Sequence, residues 1–241
     1  MIDVVILAAG IGSRLAPLTH DQPKCLTDLN GQSLIIRVVE QFLRHSDVSQ
    51  ITVIEGHLGD QIVDALSGYG DRVNTVHNDI YLTSNNLYSF TLAQNRLVVD
   101  HVLVLLNGDC AYDDDVIDAV VASSAPTSEV VADCGTYMEE SMKVTVGGNG
   151  FIDGIAKTIT EADSYATSVD LYRLVPGDKE ALLRKAQSIF DNAGLNTWTE
   201  VALAECFADG SITAIPLDIS GKRWYEIDTL DDLSAAQQLF A

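Results

Sequence analysis

Met1 to Leu26 constrains this chain more than any other stretch. Val4-Val5-Ile6-Leu7 is a continuous apolar run, as a parallel strand buried on both faces requires. Ala8-Ala9-Gly10-Ile11-Gly12-Ser13 follows, with few large side chains to keep a ligand off the backbone. Successive N–H groups in such a loop make a seat for a polyanion. Arg14 and the later Pro23-Lys24 pair bring two cations to the same place. The stretch predicts a strand opening into a loop that holds a nucleoside triphosphate. Leu7, Ala8, Ala9, Gly10, Gly12, Ser13, Arg14 and Lys24 would surround it.

The spacing excludes two common phosphate loops. No Gly-x-x-x-x-Gly-Lys-Ser/Thr string occurs, and the third glycine position of a dinucleotide fingerprint is Leu15. The pattern Leu7-Ala8-Ala9-Gly10-x-Gly12-x-Arg14, eight residues, Pro23-Lys24 instead resembles the signature of the nucleotidyltransferases that make nucleotide-diphospho sugars and alcohols.

Composition narrows the partners. The 241 residues, 47% of them hydrophobic, suffice for one large domain with a sizeable core. Asp plus Glu is 35 against 14 for Lys plus Arg, a net charge of −21. Such a balance argues against nucleic acid and against an anionic membrane surface. Polyanionic substrates then need a basic pocket inside an acidic shell, with divalent metal supplying further positive charge. Asp113-Asp114-Asp115 and Glu139-Glu140 read as solvated surface. An acidic, lysine-poor surface is expected of a halophilic protein from a high-salt cytoplasm, where salt screens self-repulsion. Cys25, Cys110, Cys134 and Cys206 are scattered, which argues against zinc and disulfides and for a reducing cytoplasm. Cys25 and Cys110 read as packing residues. The N-terminal run lacks the basic flank of a signal peptide, and no segment reaches the ~20 apolar residues of a membrane span. A homo-oligomer stays open.

Strands are expected at Val4–Leu7, Ile51–Ile54, Val73–His77 and Val102–Leu106. Helices are expected between them at Leu34–Arg44, Asp60–Leu66, Asn86–Gln94 and Val116–Val121, the third begun by Ser84 or Asn85. This alternation predicts an α/β fold, a mostly parallel sheet covered by helices on both faces, with ligands at the strands' carboxyl ends. Past residue 122 the style changes. Shorter strands are expected at Glu129–Asp133, Met142–Val146, Ile152–Ile155, Ser168–Arg173 and Ile212–Asp218, with a hairpin turn at Gly147–Gly150. Helices follow at Lys179–Phe190, Thr199–Phe207 and Asp231–Phe240, the last capped by Thr229 or nearby aspartates. Residues 1–122 read as a nucleotide half and 123–241 as an acceptor half of one domain.

Nucleotidyl transfer is in-line attack by an acceptor phosphate on the α-phosphorus of an NTP. Both reactants are anions, so the obstacles are repulsion and positioning. Asp109, ending an apolar strand after Asn107-Gly108, and Asp228, in Trp224-Tyr225-Glu226-Ile227-Asp228, are the carboxylate candidates for Mg²⁺. Each also reads as a turn or cap aspartate. Asn85 and Asn86 either cap a helix or hydrogen-bond the base. Lys143 and Lys157, two of six lysines, read as solvated or as a clamp on the acceptor phosphate. Tyr172, Trp198, Trp224 and Tyr225 offer a face to a quaternary ammonium, with Glu200 and Glu226 beside them, or else the two tryptophans fill the core or a dimer contact. His57 and His77 read as structural.

Asn78-Asp79-x-Tyr81, Asn85-Asn86-Leu87-Tyr88-Ser89, Asn107-Gly108-Asp109, Met142-Lys143-Val144 and Tyr225-Glu226-Ile227-Asp228 together resemble the phosphocholine cytidylyltransferase type, close to inositol-phosphate cytidylyltransferases. The resemblance spans nearly the whole chain. It implies a Rossmann-like nucleotidyltransferase fold and CTP as donor. It also implies Mg²⁺ on Asp109 and Asp228, with Arg14, Lys24 and Gly108 at the nucleotide. Gly56 is followed by His57 where the family commonly has tyrosine. The expected acceptor is a small phosphorylated alcohol. A sugar-1-phosphate uridylyl- or thymidylyltransferase is the alternative, although Ala156-Lys157-Thr158 replaces the usual Glu-Lys-Pro. A non-catalytic nucleotide-binding module would be expected to lose Arg14, Lys24, Asp109 or Asp228, and all four are present.

Overall fold

The computed structural model describes all 241 residues. Strand β1 (Ile2–Ala8) ends where the glycine loop begins, and three short 3-10 turns follow. A small hairpin of β2 (Asp28–Leu29) and β3 (Gln32–Ser33) leads into α1 (Leu34–Leu43). Next come β4 (Val48–Glu55), α2 (Gly59–Leu66), β5 (Val73–His77) and α3 (Asn86–Leu92). They are followed by β6 (Val102–Asn107), β7 (Cys110–Tyr112) and α4 (Asp114–Ala122). The rest of the chain holds β8 (Ser128–Asp133), β9 (Lys143–Val146), β10 (Ile152–Ala156), β11 (Ala166–Leu174), α5 (Pro176–Ala193) and α6 (Thr199–Asp209). It ends with β12 (Ala214–Asp218), β13 (Trp224–Glu226) and α7 (Leu230–Leu239).

Nine strands form one mixed sheet in the order β10-β9-β11-β6-β1-β4-β5, with β8 against β11 and β12 against β8. The strands β6, β1, β4 and β5 run parallel. Period-two alternation explains how both faces are covered. Val4 and Ile6 of β1, with Val104 and Leu106 of β6, pack on α1, α2 and α4 through Phe42, Ile62 and Ile117. Val5 and Leu7, with Leu103 and Leu105, face α3, α5 and α6 through Phe90, Leu182 and Leu203. The fold is the expected α/β one.

The two- and three-residue strands β2, β3, β7 and β13 are too short to show alternation and were not expected. Helix α5 starts earlier than its apolar pattern, at Pro176, whose fixed φ suits a first helical turn. The strand expected at Ser168–Arg173 is longer, Ala166–Leu174, and changes partner partway. It pairs β9 through Ala166 and Thr167, then β6 through Leu171–Leu174. Its register with β8 shifts between Ser168 and Tyr172.

Because Ile6 is fully buried in the strand that carries the phosphate loop, Ile6→Ala should destabilise the fold by about 2–5 kcal/mol. Urea unfolding of the two proteins checks this, and equal midpoints would contradict the packing.

Candidate active site

The glycine loop is held by its neighbours along the sheet's carboxyl edge. The Gly108 N–H donates to Leu7 O at 2.9 Å, and the His57 N–H donates to Ala9 O at 3.1 Å. Gly12 has φ +67, a left-handed conformation that disfavours side chains. A Cβ there would lie 2.8 Å from Lys24 Cβ. Only glycine lets the loop approach the Lys24 stem this closely.

Asp109 directly follows the Asn107-Gly108 turn at the end of β6. Asp228 reaches the same point from the other end of the chain. Strand β13 pairs antiparallel with β7, which sets Glu226 opposite Cys110. The Ile227 N–H then donates to Asp109 O at 3.0 Å. Just beyond, Asp232 Oδ2 accepts from the N–H groups of Asp228 (3.2 Å) and Thr229 (2.8 Å), and Thr229 Oγ1 accepts from the Asp232 N–H. This is a capping box that starts α7 and fixes the Asp228 backbone.

Lys24 Nζ donates to Asp109 Oδ2 at 2.7 Å and to Asp228 Oδ1 at 2.6 Å. Arg14 pairs with the other oxygen, Asp228 Oδ2, at 2.8 Å. Burial disfavours the Lys24 charge, but the Asp109 and Asp228 carboxylates outweigh it and hold the ammonium above its ordinary pKa. Burial likewise works against the Asp228 charge, and Lys24 and Arg14 override it to keep that carboxyl below its usual range.

A cavity of about 510 Å³ opens over these groups. On the nucleotide side it is lined by Leu7, Ala8, Ala9, Gly10, Gly12, Ser13, Arg14, Lys24, Gly108, Asp109 and Asp228. Asn85 and Asn86 also line it, and both act as caps. Asn85 Oδ1 accepts from the Asn86 N–H at the start of α3, and Asn86 Oδ1 accepts from the Thr199 N–H at the start of α6. Of the expected acceptor residues, Lys157, Trp198, Glu200 and Glu226 line the opposite wall, with Lys157 Nζ 5.6 Å from the centre of the Trp198 ring.

Lys143, Tyr172 and Trp224 lie outside the cavity wall. Lys143 is fully buried, and its Nζ donates to the carbonyls of Glu139 and Lys157. It is a backbone tie, and burial lowers its pKa. Tyr172 is buried, and its hydroxyl donates to Glu200 at 2.9 Å. Trp224 sits in the core, its Nε1–H donating to Asp133 at 3.1 Å. His57 rests against Tyr81, ring centres 6.0 Å apart, and it is Tyr81 that lines the cavity.

Asp170, Asn78, Tyr81, Ser84, Ser89, Asn107 and Met142 also line the cavity and were not singled out as site residues. Asp170 matters most. It is a buried carboxylate with φ +56, between the stretch of β11 that pairs β9 and the stretch that pairs β6. Backbone strain of this kind in a non-glycine residue is commonly kept at functional sites. Burial and the charges of Glu226, Glu200 and Asp109 push the Asp170 carboxyl far above its normal range. Burial also raises Glu200. Burial, then Asp109 and Asp228, push Glu226 up to about 7. This side of the cavity therefore gathers three carboxyls around one lysine, Lys157.

No group of three or more His, Cys, Asp or Glu side chains is placed to hold a metal ion. Asp109 and Asp228 nevertheless aim one oxygen each at the point where Lys24 Nζ sits. Two hard carboxylates beside a phosphate seat suit a divalent cation that takes its remaining ligands from phosphates and water.

The glycine loop with its two cations meets the carboxylate pair in one cavity, as nucleotidyl transfer requires, and the protein is a nucleotidyltransferase. It belongs to the MobA-like NTP transferase domain family, which it matches over residues 4–188. It is 26% identical to the CTP:phosphoglutamine cytidylyltransferase of Campylobacter jejuni, over 96% of this chain and 98% of that one. It is 38% identical to the choline-phosphate cytidylyltransferase of Streptococcus pneumoniae over 99 residues, 41% of this chain and 42% of that one. The solved inositol-1-phosphate CTP transferase of T. maritima shares the fold, with TM-score 0.82 at 19% identity over 98% of this chain and 94% of that one.

The strained Asp170 yields a stability prediction. A carboxyl whose folded pKa is raised gives its full stability below the unfolded value, 3.8, and loses it as pH rises through the folded value. Asn tolerates the same φ and carries no charge. Asp170→Asn should therefore unfold at higher urea than wild type at pH 8, with the gap closing as pH falls toward 4. A gap independent of pH would contradict the burial of that charge.

Proposed function

We propose that the protein is a cytoplasmic, Mg²⁺-dependent cytidylyltransferase that joins CTP to a small phosphorylated alcohol and releases pyrophosphate. The observation that carries this reading is the convergence in one cavity of the glycine loop, Arg14, Lys24 and the Asp109–Asp228 pair with a wall of acid and aromatic side chains. The Campylobacter and Streptococcus relatives, both cytidylyltransferases, support CTP as donor.

In this reading the triphosphate lies on the N–H groups of Ala8 to Ser13, with Arg14 and Lys24 on its oxygens. Lys157 holds the acceptor phosphate. An oxygen of that phosphate attacks the α-phosphorus in line as the bond to the β-phosphate oxygen breaks, and pyrophosphate carries the electron pair away. The acceptor phosphate is already ionised, so no strong general base is needed. Asp109 and Asp228 would hold Mg²⁺, which when bound would neutralise phosphate charge. Asp170, Glu200 and Glu226 favour an acceptor with an ammonium group. Trp198 already attracts one cation to its face, that of Lys157. The choline-phosphate relative fits this chemistry. The two halves, 1–122 and 123–241, act as one nucleotidyltransferase domain, and the net charge of −21 marks a protein suited to high salt.

Pyrophosphate release, measured in molar KCl with Mg²⁺, tests the reading. Four NTPs are crossed with phosphocholine, phosphoethanolamine, inositol-1-phosphate and glucose-1-phosphate. CTP with an amine-bearing acceptor should be fastest, and turnover only with UTP or dTTP and the sugar phosphate would overturn it. Asp109→Ala should lower kcat by about 10²-fold or more with an unchanged far-UV spectrum. Thermal unfolding should rise from dilute buffer to molar KCl, and equal midpoints would contradict the salt assignment.

A further inference from the structure

Lys24 occupies the place that a metal bound by Asp109 and Asp228 would need. Its Nζ lies 2.7 Å from Asp109 Oδ2 and 2.6 Å from Asp228 Oδ1. A divalent cation on the same oxygens would meet the ammonium at close range, and two cations cannot share that point without strong repulsion. The side chain is only 12% exposed, so water does little to screen it.

The root of this side chain is fixed elsewhere. Lys24 starts a 3-10 turn behind Pro23, and its Cβ packs so tightly on Gly12 that no Cβ fits there. From that root the stem runs beside the glycine loop to the carboxylates. A triphosphate on the loop would offer the same ammonium a second set of anionic oxygens beside that stem.

We propose that Lys24 is an internal counter-ion that closes the metal site until a triphosphate draws it away. Without nucleotide the ammonium neutralises both carboxylates and excludes divalent cations. With nucleotide it moves to the phosphates and leaves the carboxylates to the metal. Metal and triphosphate then bind with positive coupling, which is reciprocal. The inference rests on the reading of Asp109 and Asp228 as metal ligands and assigns Lys24 a task beyond binding phosphate.

Mn²⁺ binding to the full chain, followed by the electron paramagnetic resonance signal of free Mn²⁺, tests this without CTP or acceptor. Wild type should bind Mn²⁺ weakly. Lys24→Met should bind it about tenfold more tightly or better, and adding Asp109→Asn should abolish the gain. Equal affinity in wild type and Lys24→Met would overturn the counter-ion role. A gain that survives Asp109→Asn would overturn the ligand assignment and the role with it. A second variant keeps the test open if Lys24→Met fails to fold. Lys24→Gln, which also removes the ammonium, should show the same gain of about tenfold in Mn²⁺ affinity. No gain in a folded Lys24→Gln would overturn the proposal. Absence of CTP turnover would count against the proposed function and leave both titrations intact.

Discussion

One ammonium between two carboxylates organises the site. Lys24 is 85 residues from Asp109 and 204 from Asp228 along the chain, yet it holds both within 2.7 Å. Its partners arrive by different routes. Asp109 is delivered by the central strand β6, and Asp228 by a C-terminal segment that returns to pair with β7. The last helix is secured by its capping box and by Phe240, whose ring centre is 4.9 Å from the Arg37 guanidinium and 5.5 Å from that of Arg223. Much of the packing after residue 223 serves to keep Asp228 where it is.

The carboxyl-rich wall of the cavity shows the opposite tendency. Asp170, Glu200 and Glu226 are carboxyls driven toward their neutral forms by burial and by one another. Asp170 adds a left-handed backbone at the point where β11 changes neighbours. Such a cluster lowers stability and persists where a ligand relieves it. A cationic group bound among them would relieve it.

The legible parts of the sequence were those where local chemistry and function coincide. The apolar runs of β1 and β6 ending in Gly10 and Asp109 were readable because a buried strand followed by glycine has few other meanings. Asn85 and Thr229 were readable as caps. The pairing of β7 with β13 was hidden, because three-residue strands carry no period. Asp170 was hidden as well, since its signal is a dihedral angle inside a run that reads as ordinary strand. Lys143 misled for a related reason. A lone lysine at a strand start looks solvated or like a phosphate clamp, and only tertiary contacts show its ammonium on two backbone carbonyls. Trp224 and Tyr172 follow the commoner fate of large aromatics, burial with the polar end hydrogen-bonded.

The scarcity of lysine then takes on a physical meaning. Lys143 and Lys179 are buried on backbone carbonyls, and Lys185 and Lys222 are paired with Asp209 and Asp115 at 2.7 Å. That leaves Lys24 and Lys157, both on the cavity wall. A chain of net charge −21 repels the polyanions it is proposed to use, and repulsion is strongest in dilute buffer. Salt shortens that field to about 3 Å at molar strength while leaving partly buried pairs such as Lys24–Asp109 largely unscreened. High salt would thus remove the long-range barrier and spare the short-range attraction. An acidic exterior around a small, pre-paired basic site is then compatible with binding a nucleotide, provided the solvent carries the screening charge.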